Sequence, residues 1–167
     1  MNKIILKNGI FGGIIVAIVM SAMIYYMKTN PDKEPNILVG FSSMLAFIFV
    51  VLGVLQYQKS NITISFGKAF LIGFLISLVI SMIYVITWLI IYYNFFPDFM
   101  EKYSSMVLKN SKPEDLISKT KELNQMKEWY KNPVMIVLLT LMEVLPIGIV
   151  VSLVTALVIF LKRKKNN

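Results

Sequence analysis

Apolar residues along this chain gather into four long blocks separated by short polar stretches. The first runs from Gly9 to Met27, the second from Ile37 to about Leu55, the third from about Ala69 to Phe96, and the fourth from Val134 to Leu161. A helix needs roughly 20 such residues to cross about 30 Å of hydrocarbon, and each block reaches that length, the second only just. The third and fourth exceed it, so they tilt or project beyond the bilayer. The first block could pass for a signal peptide, but an h-region is usually only about 7–15 residues and no small-x-small cleavage site follows. It is expected to be retained. The pattern thus predicts an all-α membrane protein, a four-transmembrane-helix bundle forming one integral domain over residues 1–167. The spans are expected at about 8–27, 37–56, 69–96 and 134–161.

The connections differ in size. "KTNPDKEPN" (Lys28 to Asn36) carries two prolines and is a short turn. "QYQKSNITISFGK" (Gln56 to Lys68) is a short polar loop whose "ITISF" alternation is too brief for a strand. "FGK" there has one glycine before a lysine, which marks a loop-to-helix entry rather than a phosphate loop. Residues 97–133 are the one connection large enough to fold by itself. Ser111, Pro113 and Glu114 have the spacing of a helix start with a capping box. Leu116, Thr120, Leu123 and Met126 recur at helical spacing, and Pro133 ends the run. Two short helices are expected, about 98–109 and 113–131, with Phe99, Met106, Leu116, Leu123 and Trp129 turned towards lipid or helices.

Charge then orients the bundle. The formal net charge of +8 would suit a nucleic-acid binder, but its placement points to a membrane instead. With the N-terminus inside, the inner side carries Lys3, Lys7, Lys59, Lys68, Lys162, Arg163, Lys164 and Lys165 and no acidic residue. The outer side mixes its lysines with carboxylates. An N-in, C-in topology follows, with the inner basic residues acting as topology determinants and lipid-headgroup contacts. Tyr25, Tyr26, Tyr92, Tyr93, Trp129 and Tyr130 gather at the outer boundary, where amphipathic rings sit well. No nucleic acid is expected as a partner.

Small residues recur every fourth position in three spans: Gly9, Gly13, Ala17 and Ser21; Gly73, Ser77 and Ser81; Gly148, Ser152 and Ala156. In lipid, helices associate through close backbone approach at small residues and through interhelical hydrogen bonds. The ladders favour a compact bundle, although one of them could serve a homo-oligomer or a partner.

Chemistry is sparse. The chain has neither cysteine nor histidine, which removes thiol chemistry and the commonest general base and metal ligand. Asp98 and Glu101 lie three apart, but acids in a first helical turn are favoured by the helix dipole alone. No catalytic residue, metal site or cofactor is expected. Glu143 is the one acid inside a predicted span. An ionised acid at mid-helix costs on the order of 2.5–3.5 kcal/mol, so it should face the bundle, and desolvation favours the neutral acid. Pro146 frees the carbonyl of Met142. Glu143 could close that gap as a polar clasp at a kink, donating to a freed carbonyl or to Ser77, Ser81 or Thr87. Alternatively it carries a proton or cation, or meets a ligand head group.

Several strings resemble one known family: "ISFGKAF" (Ile64 to Phe70), "IYYNFFPDFMEKY" (Ile91 to Tyr103), "YKNP" (Tyr130 to Pro133) and "TLMEVLPIGIVVSLVTALVIFLKRKK" (Thr140 to Lys165). Together they look like the bacterial domain-of-unknown-function family 4199, found mainly in Bacteroidetes, over essentially the whole chain. The resemblance implies a small four-helix protein of the bacterial inner membrane and brings no catalytic residues with it. Glu143 and Pro146 match the family pattern without an assigned role. The function expected is therefore a non-enzymatic accessory or scaffold subunit that meets membrane lipids and, through 97–133, another membrane or periplasmic protein. A proton- or ion-coupled transporter centred on Glu143, and an accessory to a membrane lipid or glycan enzyme, stand as alternatives.

Overall fold

A computed structural model describes residues 1–30, 43–59 and 64–166, with backbone alone at 43 and 163–166. Every element among the described residues is helical: α1 (Asn2–Thr29), α2 (Ile48–Lys59), α3 (Phe66–Asn94), α4 (Phe99–Lys109), α5 (Leu116–Trp129) and α6 (Pro133–Asn166). Short 3-10 turns, Ser43–Phe47 and Pro113–Asp115, lead into α2 and α5. Three stretches, Asn2–Thr29, Phe66–Asn94 and Pro133–Lys162, are long and apolar enough to cross a membrane. The described part of the second apolar block, Met44–Lys59, is shorter. The start expected for it at Ile37 lies outside the described residues.

Local chemistry explains the helix ends. The Ser65 side chain accepts a hydrogen bond from the Lys68 amide at 3.3 Å, so α3 starts at Phe66 and "FGK" is its first turn. Pro97 stands three residues past Asn94, in time to prevent continuation. At α6 the Asn132 side chain accepts the Val134 amide at 2.9 Å while Pro133 takes the first helical position, where it gives up no intrahelical bond. The proline that ends the loop thus also opens the last helix.

The capping box expected at Ser111 does not form. Ser111 stands two residues past the end of α4, and its hydroxyl donates back to the Val107 carbonyl at 2.6 Å. Lys112 occupies the cap position of the next turn, without a side-chain bond.

Contacts fix the helix directions. Gly9 lies against Val79, Gly12 against Ile80 and Gly13 against Ile83, so α1 and α3 run parallel. The Asn8 amide donates to the Gln56 side chain at 3.2 Å, whereas Gly12 sits beside the Ala46 carbonyl, so α2 runs antiparallel to α1. Gly73 faces Ser152 and Ser77 faces Gly148, so α6 is antiparallel to α3. Helix α3 is the hub: α1, α2 and α6 all pack on it, while α1 and α6 scarcely touch each other. Among the described residues a groove is left between those two.

Two of the three small-residue ladders are the α3–α6 contact, and all of Gly73, Ser77, Ser81, Gly148, Ser152 and Ala156 are buried. The first holds only in part. Gly9 and Gly13 are buried, Ala17 is half-buried, and Ser21 is exposed. At 3.6 residues per turn a four-residue repeat drifts by about 40° each step, so Ser21 lies about 120° around the helix from Gly9. The buried face follows Ile5, Asn8, Gly9, Gly12, Gly13, Val16, Met20 and Ile24 instead.

The bundle has two unlike ends. At one end lie the start of α1, the end of α2, the start of α3 and the end of α6, bringing Lys3, Lys7, Lys59, Lys68 and Lys162 together as exposed side chains. The backbone of Arg163, Lys164 and Lys165 continues α6 from there. At the other end, Trp88 meets Phe99 at 4.8 Å, Tyr92 meets Tyr130 at 5.5 Å, and Phe99 stacks on Tyr103 at 5.8 Å. These rings seat the α4–α5 pair on the bundle. Leu123 is buried, whereas Leu116 and Ile117 open outwards.

Candidate functional site

Glu143 lies ten residues into α6, about 15 Å along the axis from Pro133. Helix α6 continues unbroken through Pro146. The carboxyl opens into a hollow of about 160 Å³ in the groove between α1 and α6. Its walls are Val16, Val19, Met20 and Met23 of α1, Met44 and Phe47 of the turn before α2, Tyr84 of α3, and Val144 and Ile147 of α6. More than a third of the Glu143 surface is open, but what it opens onto is apolar.

Glu143 shares the hollow with Tyr84 of α3, and among the described residues no hydrogen bond joins it to Ser77, Ser81 or Thr87. Ser77 lies deeper between α3 and α6, where its hydroxyl is 3.0 Å from the Gly73 carbonyl, 3.1 Å from the Gly148 carbonyl and 3.2 Å from the Ser152 hydroxyl. Ser152 itself donates to the Gly148 carbonyl at 2.6 Å. Thr87 bonds back to the Ile83 carbonyl of its own helix at 2.8 Å. Ser81 is buried and its hydroxyl has no partner among the described residues. The predicted polar set therefore splits into a serine clasp and a separate carboxyl–phenol pair.

Tyr84 is the residue that sequence reading missed. Its signal is position, since it sits mid-span whereas Tyr92 and Tyr93 mark a boundary. Asn8, just ahead of the first glycines, is a second omission; it is buried and bonds the Ile4 carbonyl at 2.9 Å as well as Gln56.

Beyond the hollow, Tyr130 packs between Tyr92 and Phe99 at the entrance to α6. Burial pushes its phenol up to about 12, and the nearby Glu143 charge adds to the effect. On α4, Lys102 forms an exposed ion pair with Asp98 at 2.8 Å, and its hydrogen bond lowers the Asp98 carboxyl below the usual range. The described residues hold no cluster of three acids that could take a metal.

Comparison with protein families gives one result. A family model described as Protein of unknown function (DUF4199) matches residues 7–161, which is nearly the whole chain. The chain belongs to this family. No curated protein and no solved structure matches it. Membership of the DUF4199 family thus agrees with the apolar helices of a membrane protein and assigns no chemistry to the Glu143–Tyr84 pair.

Proposed function

We propose that this chain is a four-crossing protein of the bacterial cytoplasmic membrane, with both termini inside, acting without catalysis as an accessory or scaffold subunit. Two parallel spans, α1 and α3, require the chain between them to return, and α2 runs in the returning direction. The lysines at one end, with no acid among them, support a cytoplasmic location for that end. The α4–α5 pair then lies outside.

The observation that carries the accessory role is the state of that pair. Aromatic contacts fix it to the bundle, yet Ile117 is 86% exposed and its neighbour Leu116 38%. A held platform with apolar side chains turned outward suits a protein partner, including a membrane-bound lipid or glycan enzyme. Mild-detergent purification of the tagged chain should bring down a second protein in stoichiometric amount, and Ile117→Lys should release it from a folded chain. A clean homo-oligomer with no second protein would overturn the reading.

A second reading, a small proton- or ion-coupled transporter, has in its favour that Glu143 opens into a hollow rather than into packed side chains. Normal folding and unchanged phenotype in Glu143→Gln would sink it.

A further inference from the structure

We propose that the hollow between α1 and α6 is a binding site for a small hydrophobic organic cation, an alkyl- or arylammonium, with Glu143 as its counter-ion. This goes beyond the accessory role and does not depend on it.

The chemistry of the walls selects this class. Glu143 is an acid without an ion-pair partner among the described residues, whose ion pairs all involve other carboxylates. The groups that face it are few. Among the described residues, Tyr84 comes from α3 and Tyr130 stands at the entrance to α6, whereas α1 and the turn before α2 present only aliphatic, methionine and phenylalanine side chains. An inorganic cation would have to exchange its water for about six oxygens, and the described lining of the hollow offers one carboxyl and one phenol. A hydrophobic ammonium needs a single counter-charge and apolar or aromatic contact around its alkyl groups, which the rings of Phe47 and Tyr84 can supply by cation–π attraction. The thioethers of Met20, Met23 and Met44 can adjust to its shape.

Size and access agree. A cavity of about 150 Å³ is enough for one benzene ring, so about 160 Å³ suits a single ring or a compact ammonium head, with the rest of the molecule in the open groove between α1 and α6. Because α1 and α6 scarcely touch, a longer tail would leave sideways between them towards lipid. For a quaternary ammonium the exchange balances simply. The Glu143 carboxylate pairs with the entering cation, any proton it held passes to solution, and no other bond changes.

The probe is radiolabelled benzyltrimethylammonium, with the full chain in lipid nanodiscs and empty nanodiscs as background. The expected result is saturable binding of one cation per chain, weakened at least tenfold in Glu143→Gln and several-fold in Tyr84→Phe. The uncharged isostere neopentylbenzene should displace it poorly. Should Glu143→Gln fail to fold, Val19→Trp fills the hollow while leaving the carboxyl in place, and it should abolish binding. Absence of saturable binding by the wild type, equal binding by Glu143→Gln or by Val19→Trp, or displacement by the isostere as effective as by unlabelled cation would each overturn the proposal. None of these outcomes touches the partner capture on which the accessory role rests.

Discussion

The Ser77 hydroxyl lies 3.1 Å from the Gly148 carbonyl of the neighbouring helix, and that approach exists because residue 148 has no side chain. A Cβ on Gly148 would fall 2.5 Å from the Ser77 Cβ and 2.8 Å from a ring carbon of Phe47. Neither can retreat without moving a helix. Gly148→Ala should therefore destabilise the bundle by about 1–3 kcal/mol through overpacking. Gly67→Ala is the control, since nothing lies within 4 Å of its Cβ position. It should be neutral or gain roughly 0.5–1 kcal/mol. Thermal unfolding in detergent distinguishes the two, and equal effects would contradict the packing account.

The serines of α3 should behave unequally although they are one helical turn apart. Ser77→Ala loses a bond across to α6 and should cost about 0.6 kcal/mol and at most about 1.7, the range for such bonds in membranes. Ser81→Ala removes a buried hydroxyl that has no partner among the described residues, so it should be neutral or stabilising. Denaturant titration of both variants side by side tests this.

Gly9 and Val79 form the corresponding contact between α1 and α3, with a Cβ at Gly9 falling 2.6 Å from that of Val79. Gly9→Ala should destabilise the fold, and adding Val79→Ala should recover part of the loss. The coupling expected between touching residues is about 0.5–3 kcal/mol. Strict additivity in the double-mutant cycle would show that the helices do not meet there.

Much of this arrangement is legible in the sequence. Its spacing predicts a helix over 98–109, and α4 is Phe99–Lys109; it marks Gly73, Ser77, Gly148 and Ser152 as packing positions, and they meet one another. Periodicity carries such information because apolar and small residues must lie on one helix face. The carboxyl–phenol pair was not legible. Whether Glu143 meets Ser81, Thr87 or Tyr84 depends on the register of two helices about 60 residues apart in sequence, and one turn of slip exchanges one partner for another. Ser21 failed for a related reason, as a strict four-residue ladder leaves the contact face after two turns.

Alkaline pH should loosen the seat of α4 and α5. The Tyr130 phenol is raised to about 12 in the fold, against about 10 in an unfolded chain, mainly by burial. A raised folded value favours the neutral form, so its contribution is complete below about pH 10 and fades as pH climbs from there through about 12. Absorbance titration of tyrosine ionisation should show a late component that Tyr130→Phe removes.

The central claim is that α1, the return through α2, and α3 each cross the membrane, which puts the N-terminus and the α2–α3 connection on one side and the α4–α5 pair on the other. The absence of native cysteine makes single-cysteine labelling clean. In intact spheroplasts a membrane-impermeant maleimide should label Lys112→Cys at once. It should label Lys3→Cys and Lys59→Cys only after permeabilisation. Labelling of Lys59→Cys together with Lys112→Cys from outside would contradict the account.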